Sequence, residues 1–229
     1  MKGFYPYSIP MKLLVISDTH LNLPVDENKF ELLKQIISDA DQVIINGDFW
    51  EGFLLEFDEF FSSSWSRLFP PLKEKQAVYI FGNHDDISRN DPSRISAFSD
   101  IQTKRYEYSF GDTRYIFEHG HRFICPEKYL SAIGKVRFQK SVRRIDSVEK
   151  LCIGLFGRMY QKPILRLNRI MKKKLKKELK PHEIFICGHT HAAEYNPAEQ
   201  YINSGVMKHG LAQYLIIKDG VVTPYSTRY

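Results

Sequence analysis

The chain has 229 residues, 43% hydrophobic and 14% aromatic, which is enough apolar material for one large core and too much for a disordered chain. No apolar run approaches the roughly 18–20 residues needed to cross a bilayer, so a helical membrane-spanning protein is excluded. The formal charge of +6 is uneven: residues 135–180 hold sixteen Lys and Arg against three Asp and Glu, a local +13 that leaves −7 elsewhere.

The opening segment MKGFYPYSIP lacks the apolar stretch and small-residue cleavage site of a secretory signal, and reads as a short leader or strand extension. Residues 12–17, KLLVIS, are a short β-branched run followed by Asp18-Thr19-His20, the pattern of a buried strand that ends at a polar loop. Residues 27–39 place Phe30, Leu33, Ile36 and Ile37 on one helical face, and QVIIN (42–46) is a second strand, ending at Gly47-Asp48. The acidic, phenylalanine-rich stretch 51–69 reads as helical until Pro70-Pro71 stops it. AVYIF (77–81) is a third strand, ending at Gly82-Asn83-His84-Asp85. Two strands about Gly111-Asp112 form a hairpin that runs into His119-Gly120-His121.

From 122 to 180 the strand rhythm stops. Leu167, Ile170, Met171, Leu175 and Leu179 recur at helical spacing with lysines between them, so this segment is a basic helical insertion, and its charge points to a polyanionic partner or surface. Strand pattern returns in EIFIC (183–187), which ends at Gly188-His189-Thr190-His191, and the chain finishes on a hairpin about Asp219-Gly220. Cys125, Cys152 and Cys187 are odd in number and form no Cys-x-x-Cys pair, which suits a reducing, cytoplasmic compartment. Cys187 lies within an apolar run and reads as a small buried hydrophobe.

Five strand ends therefore deliver Asp18 and His20, Asp48, Asn83 with His84, His119, and His189 with His191. Carboxylates, imidazoles and an amide oxygen, with thiolates absent, are the donor set of Mn, Fe, Zn or Co. Each short motif alone is commonly structural, but five in sequence, each after an apolar strand, point to one metal site.

SDTH, GDFWE, GNHD, EHGH and GHTH together resemble the five motifs of the calcineurin-like metallophosphoesterases, from residue 12 to about 222. The resemblance implies an α/β fold, a four-layer α-β-β-α sandwich, here a single domain over 1–229 with 122–180 as an inserted cap. It implies two divalent ions, manganese foremost, with Asp18, His20 and His191 on the first, Asn83, His119 and His189 on the second, and Asp48 bridging. It further implies in-line attack by a metal-bridging hydroxide on a phosphoester or phosphoanhydride. His84 would stabilise the developing charge or protonate the leaving oxygen, with Asp85 orienting it.

Glu51 stands where the second motif often has Asp, and His121 follows His119 by two; both are carried as candidate substrate contacts. SDTHLNLP, GDFWEGF and the insertion after HGH look like the branch containing the UDP-2,3-diacylglucosamine pyrophosphatases, although those resemble GNRD where this chain has His84. A basic amphipathic insertion suits a diphosphate at an anionic membrane surface, which would make the protein peripheral to the membrane, or else nucleic acid. A non-catalytic scaffold on the same fold is the reading of another class, and retention of all seven ligands with His84 weighs against it.

Overall fold

The computed structural model describes residues 11–125 and 134–229; the expected leader at 1–10 and residues 126–133 of the insertion lie outside them. The short β-branched runs become strands β1 (Leu13–Ile16), β2 (Gln42–Asn46) and β3 (Val78–Ile80), joined by β4 (Ile101–Thr103) in parallel order. The long strands β11 (Leu211–Lys218) and β12 (Val221–Arg228) complete this sheet, β11 pairing antiparallel with β1 and with the two-residue β10 (Met207–Lys208). The second sheet runs from the hairpin strands β5 (Tyr106–Phe110) and β6 (Thr113–Phe117) to β7 (Glu183–Cys187), β9 (Tyr201–Asn203) and β8 (Glu194–Asn196).

Alternation along the strands sorts their side chains into layers. Leu13 and Val15 of β1 join Ile44, Val78, Phe117 and Ile186 in a core between the two sheets, whereas Leu14 and Ile16 face the helices outside the first sheet. Those helices are α1 (Glu27–Ser38), α2 (Phe57–Ser62), α3 (Phe69–Glu74) and α4 (Pro92–Ile95). Asp26 caps α1 by accepting from the Lys29 N–H at 3.1 Å, and Phe30, Leu33, Ile36 and Ile37 form its buried face. On the far side, Met171 and Leu175 of α6 (Leu165–Leu175) pack with Phe123, Phe185 and Tyr201 over the second sheet. The order is helices, sheet, sheet, helix, the four-layer α/β sandwich.

One expectation is corrected by helix chemistry. Pro70 and Pro71 open α3 and do not terminate a helix over 51–69, because proline lacks only an N–H that the first helical turn leaves unpaired in any case. The preceding segment breaks at Ser63, whose hydroxyl accepts from Trp65 N–H at 3.2 Å and starts a 3-10 turn over Ser64–Leu68.

The insertion's main element is α5 (Lys135–Phe156), of which only Phe138 and Ile153 are buried. Ile145, Val148, Leu151 and Leu155 are each about 60% exposed or more, an apolar stripe in water. No helix among the described residues is long and apolar enough to cross a membrane.

Phe117 is fully buried between the sheets. Phe117→Ala is expected to lower stability by about 3–5 kcal/mol, read as a lower urea midpoint at unchanged slope; an unshifted midpoint would show that this inter-sheet layer is not a packed core.

Candidate metal centre

The loops after β1, β2, β3, β6 and β7 carry Asp18 with His20, Asp48, Asn83 with His84, His119, and His189 with His191 to one place. His20, Asp48, Asn83, His84, His189 and His191 line a cavity of about 510 Å³. Asp18 and His119, both buried, touch this floor: Asp18 Oδ1 is 3.4 Å from His191 Nε2, and His119 Nε2 is 3.1 Å from both Asp48 Oδ2 and Asn83 Oδ1. Asp48 Oδ2 also lies 3.9 Å from the Nε2 atoms of His20 and His84. Three overlapping close groups result, Asp18–His20–His191, His20–Asp48–His84 and Asp48–His119–His189, so Asp48 belongs to two of them.

The backbone is held in an unusual state to achieve this. Asp18, His20, Asp48, His189 and His191 all have positive φ, between 42° and 69°, half of the ten non-glycine residues so placed among those described. Such conformations store strain and persist where surrounding contacts impose them. Asp18 N–H donates to Gly47 O at 3.1 Å and His20 N–H to Asp48 O at 2.9 Å, lacing the first two loops together. The glycines serve close packing: a Cβ on Gly82 would fall 2.1 Å from Asp48 Oδ1, and one on Gly188 would fall 2.0 Å from Asp18 Oδ2.

Behind each imidazole stands a partner that fixes which nitrogen faces inward. His119 Nδ1–H donates to the Asn46 carbonyl at 3.0 Å, and His189 Nε2–H to the Ile124 carbonyl. His20 Nδ1 meets Glu51 Oε2 at 2.9 Å and His191 Nδ1 meets Glu149 Oε1 at 2.6 Å. With these protons pointing outward, the Nε2 lone pairs of His20 and His191 face each other at 3.0 Å, and that of His119 faces two oxygen acceptors. Lone pairs so opposed are reconciled by a cation between them, and a nitrogen–oxygen set without thiolate suits a divalent transition ion.

The electrostatics divide between the rings: burial would lower His191, but Glu149 outweighs it and pushes the ring up, so without an ion its Nε2 can donate to His20. Burial, reinforced by His84, pushes His20 down to about 3, keeping it neutral as metal binding requires, and burial holds His189 well below the usual histidine range. Burial alone would lower His119, yet Asp48 and Asp18 push it up to about 10, a sign of how strongly the two acids draw positive charge to the floor. Asp18, fully buried, is itself pushed above its ordinary range by that burial, so a cation beside it would restore the carboxylate.

The structure rearranges the supporting roles. Glu51 is buried and its two oxygens are taken by His20 and, at 2.6 Å, by His84 Nδ1. Glu51 thus orients His84, in place of Asp85. Asp85 turns the other way: it accepts from Asp48 N–H at 3.1 Å, Gly82 N–H at 2.7 Å, Phe49 N–H at 2.6 Å and Tyr79 O–H at 2.7 Å. It staples the second and third loops. His121 stands outside all three close groups, its ring 5.6 Å from that of His119, and lines an adjoining cavity with Arg89, Arg122 and Lys135. Cys187 is fully buried, and that burial pushes its thiol up, the state of an inert core residue. Glu149 is the participant that sequence reasoning missed; the faint signal is that Asp146 and Glu149 are the only acids of α5.

The chain matches the family model of the calcineurin-like phosphoesterases over residues 11–193. No curated protein matches it. Among solved structures it is similar to an archaeal phosphodiesterase at 15% identity, with a TM-score of 0.50 over 94% of this chain and 99% of that one. It is similar also to the phosphoesterase YfcE from E. coli, at 17% identity and TM-score 0.45 over 93% and 91% of the two chains. Vps29 from Entamoeba histolytica, solved with Zn2+, gives 12% identity and TM-score 0.46 over 95% and 99%. At these identities the likeness is one of fold.

Four donors converge on Asp85, so Asp85→Asn would turn an NH2 toward two of them. A stability loss of about 2–3 kcal/mol is expected in urea unfolding; a variant as stable as the parent would refute the staple.

Proposed function

The chain belongs to the calcineurin-like phosphoesterase family of metal-dependent hydrolases, and on that footing we propose that it cleaves a phosphodiester or phosphoanhydride bond in an amphiphilic substrate. The observation that carries this reading is the union, in one cavity, of a polar floor and apolar walls: above the imidazoles the cavity is lined by Ile124, Phe138, Val142, Ile145, Val148 and Leu167.

Asp18, His20, Asp48 and His191 would hold one divalent ion, and Asp48, Asn83, His119 and His189 the second, with manganese the first choice. Bound there, the ions supply neutralisation of phosphoryl oxygens and a lowered pKa for water. The protein's own part is placement and proton control. Asp48 presents one oxygen toward His20, His84 and His119 while its other oxygen accepts from the His84 N–H at 2.8 Å, which locks the carboxylate plane. His84 reaches the cavity with its ring seated 3.9 Å, centroid to centroid, from Phe53. Burial would lower its pKa, but the carboxylates of Glu51 and Asp48 push it up to about 9, so its Nε2 holds a proton that it can share with a phosphoryl or leaving-group oxygen.

The apolar walls favour a substrate with a hydrophobic arm, such as the acylated nucleotide-sugar diphosphates hydrolysed by UDP-2,3-diacylglucosamine pyrophosphatases. Leu151 and Leu155 of α5, exposed and outside the cavity, on the helix that carries Arg137, Lys140, Arg143, Arg144 and Lys150, support delivery from an anionic membrane surface. Lys172 is taken by Glu194 and Glu199, and Lys174 by the Phe123 carbonyl, so a nuclease would have to track phosphates with the cations of α5, and the exposed apolar side chains beside those favour a membrane surface.

Manganese-dependent hydrolysis of bis-p-nitrophenyl phosphate is expected, abolished by Asp48→Ala or Asn83→Ala. His84→Ala should lower kcat by about 10²- to 10⁴-fold while manganese stoichiometry holds; undiminished turnover would remove His84 from the chemistry. In a screen of UDP-diacylglucosamine, cyclic nucleotides, dinucleotides and single-stranded DNA, the acylated substrate should lead, and Leu151→Ser with Leu155→Ser should cut co-sedimentation with anionic vesicles. Preferred cleavage of DNA that falls steeply with salt would replace this reading with the nuclease.

A further inference from the structure

The helical insertion grips the loop that carries His189 and His191 at several points. From α5, Glu149 Oε1 meets the His191 ring at 2.6 Å. From the 3-10 turn that follows, Gln161 Nε2 donates to the His191 carbonyl at 2.5 Å and to Gln213 Oε1 at 2.6 Å. From α6, Asn168 Nδ2 donates to the Ala192 carbonyl at 2.9 Å while its Oδ1 accepts from Thr190 Oγ1 at 2.6 Å. Asn168 is fully buried and Gln161 nearly so. A cover that merely closed over a finished site would leave these polar groups with other partners.

The charge on α5 has the same orientation. Its only two acids, Asp146 and Glu149, lie three residues apart on the inward face of an otherwise basic helix. Lys208 of β10 sits between them, its Nζ 2.6 Å from Asp146 and 3.0 Å from Glu149, and His209 Nε2 is 3.0 Å from Asp146. Lys208 therefore supplies the cation for this acid pair. Glu149 is left with one oxygen on Lys208 and the other shared by the His191 ring and, at 3.2 Å, the Tyr160 hydroxyl.

We propose that the insertion is a built part of the metal centre, with Glu149 the positioning residue that fixes the His191 ring, so that ion binding and docking of α5 are coupled. The inference rests on the reading of Asp18, His20, Asp48 and His191 as one ion's ligands. A ring held with Nδ1–H on a carboxylate presents Nε2 as a ready donor, and losing such a partner costs about 10- to 100-fold in metal affinity. Coupling is reciprocal: an ion that needs His191 in this pose also favours the helix that holds it there. An amphiphilic substrate that spreads the apolar walls would then loosen a ligand as it enters, and an ion arriving at the floor would tighten the walls.

The test measures binding of Mn2+ by calorimetry and amide exchange across 135–156, in the full-length protein. Glu149→Ala should weaken one of the two ions by about 10- to 100-fold and spare the other. Glu149→Gln, whose side-chain oxygen still accepts from Nδ1–H while its NH2 turns toward Lys208, which keeps Asp146, should recover part of that loss. Mn2+ should slow exchange in α5 of the parent and of Glu149→Gln, and not of Glu149→Ala. Parental affinity for both ions in Glu149→Ala, or exchange in α5 indifferent to Mn2+, overturns the coupling alone. If Glu149→Ala does not fold, the exchange measurement on the parent and Glu149→Gln decides by the same criterion. A parent protein that takes up no Mn2+, Zn2+, Fe2+ or Co2+ overturns the metal reading itself, and this inference with it.

Discussion

At the foot of the cavity, four imidazoles and two carboxylates crowd together in overlapping groups whose ligand atoms lie within 4.8 Å, and they can share a cation only if each turns an acceptor inward. Every ring then needs its other nitrogen satisfied from behind, since a buried polar group without a partner costs about 1–3 kcal/mol. The Asn46 carbonyl, the Ile124 carbonyl, Glu51 and Glu149 do this for His119, His189, His20 and His191. Much of the architecture around the site can be understood as the means of bringing those four backing groups to their places.

The loops that hold the inward atoms are strained, and the strain is contained by short polar struts. Ser17 Oγ donates to Asp18 Oδ2 at 2.5 Å and is within 2.7 Å of Ser204 Oγ, while Met207 N–H donates to the Asp18 carbonyl at 3.1 Å. Asn203 Nδ2 donates to the Gly188 carbonyl at 2.7 Å and its Oδ1 accepts from Gly205 N–H at 2.9 Å. With Asp85 binding the second and third loops, the positive-φ ligands are over-determined on every side, the condition under which such geometry survives in a folded protein. The two sheets beneath, packed through the buried Phe117, Ile44 and Ile186, give these struts a stiff base.

The insertion joins the same scheme from the other side of the cavity. Its apolar faces wall the space above the floor, and its few inward polar groups reach the loop of His189 and His191. On the reading proposed above, substrate selection and ligand orientation would both rest on this one insertion, which would tie what the site admits to how well the site is assembled.

Residue periodicity made eight of the twelve described strands and α1 legible in the sequence, because alternation and 3.6-residue spacing are imposed by which face each segment buries, whereas β4, β8, β9 and β10 are two or three residues long and too short to show a period. The seven candidate ligands were legible for a similar reason: each sits directly after an apolar run, where a strand must end. What escaped was long-range. Pro70 and Pro71 were ambiguous between stopping and starting a helix until Ser63 ended the preceding one. Asp85 neighbours His84 in the chain, yet its oxygens found four donors elsewhere, and Glu51, 33 residues away, took the ring instead. Glu149 reaches His191 across 42 residues, from a helix whose local pattern is that of a solvated basic surface. The sequence by itself determined which atoms could bind an ion, since donor chemistry belongs to the side chain. Only the tertiary structure decided which nitrogen of each ring would face inward, because that depends on whatever acceptor the fold sets behind it.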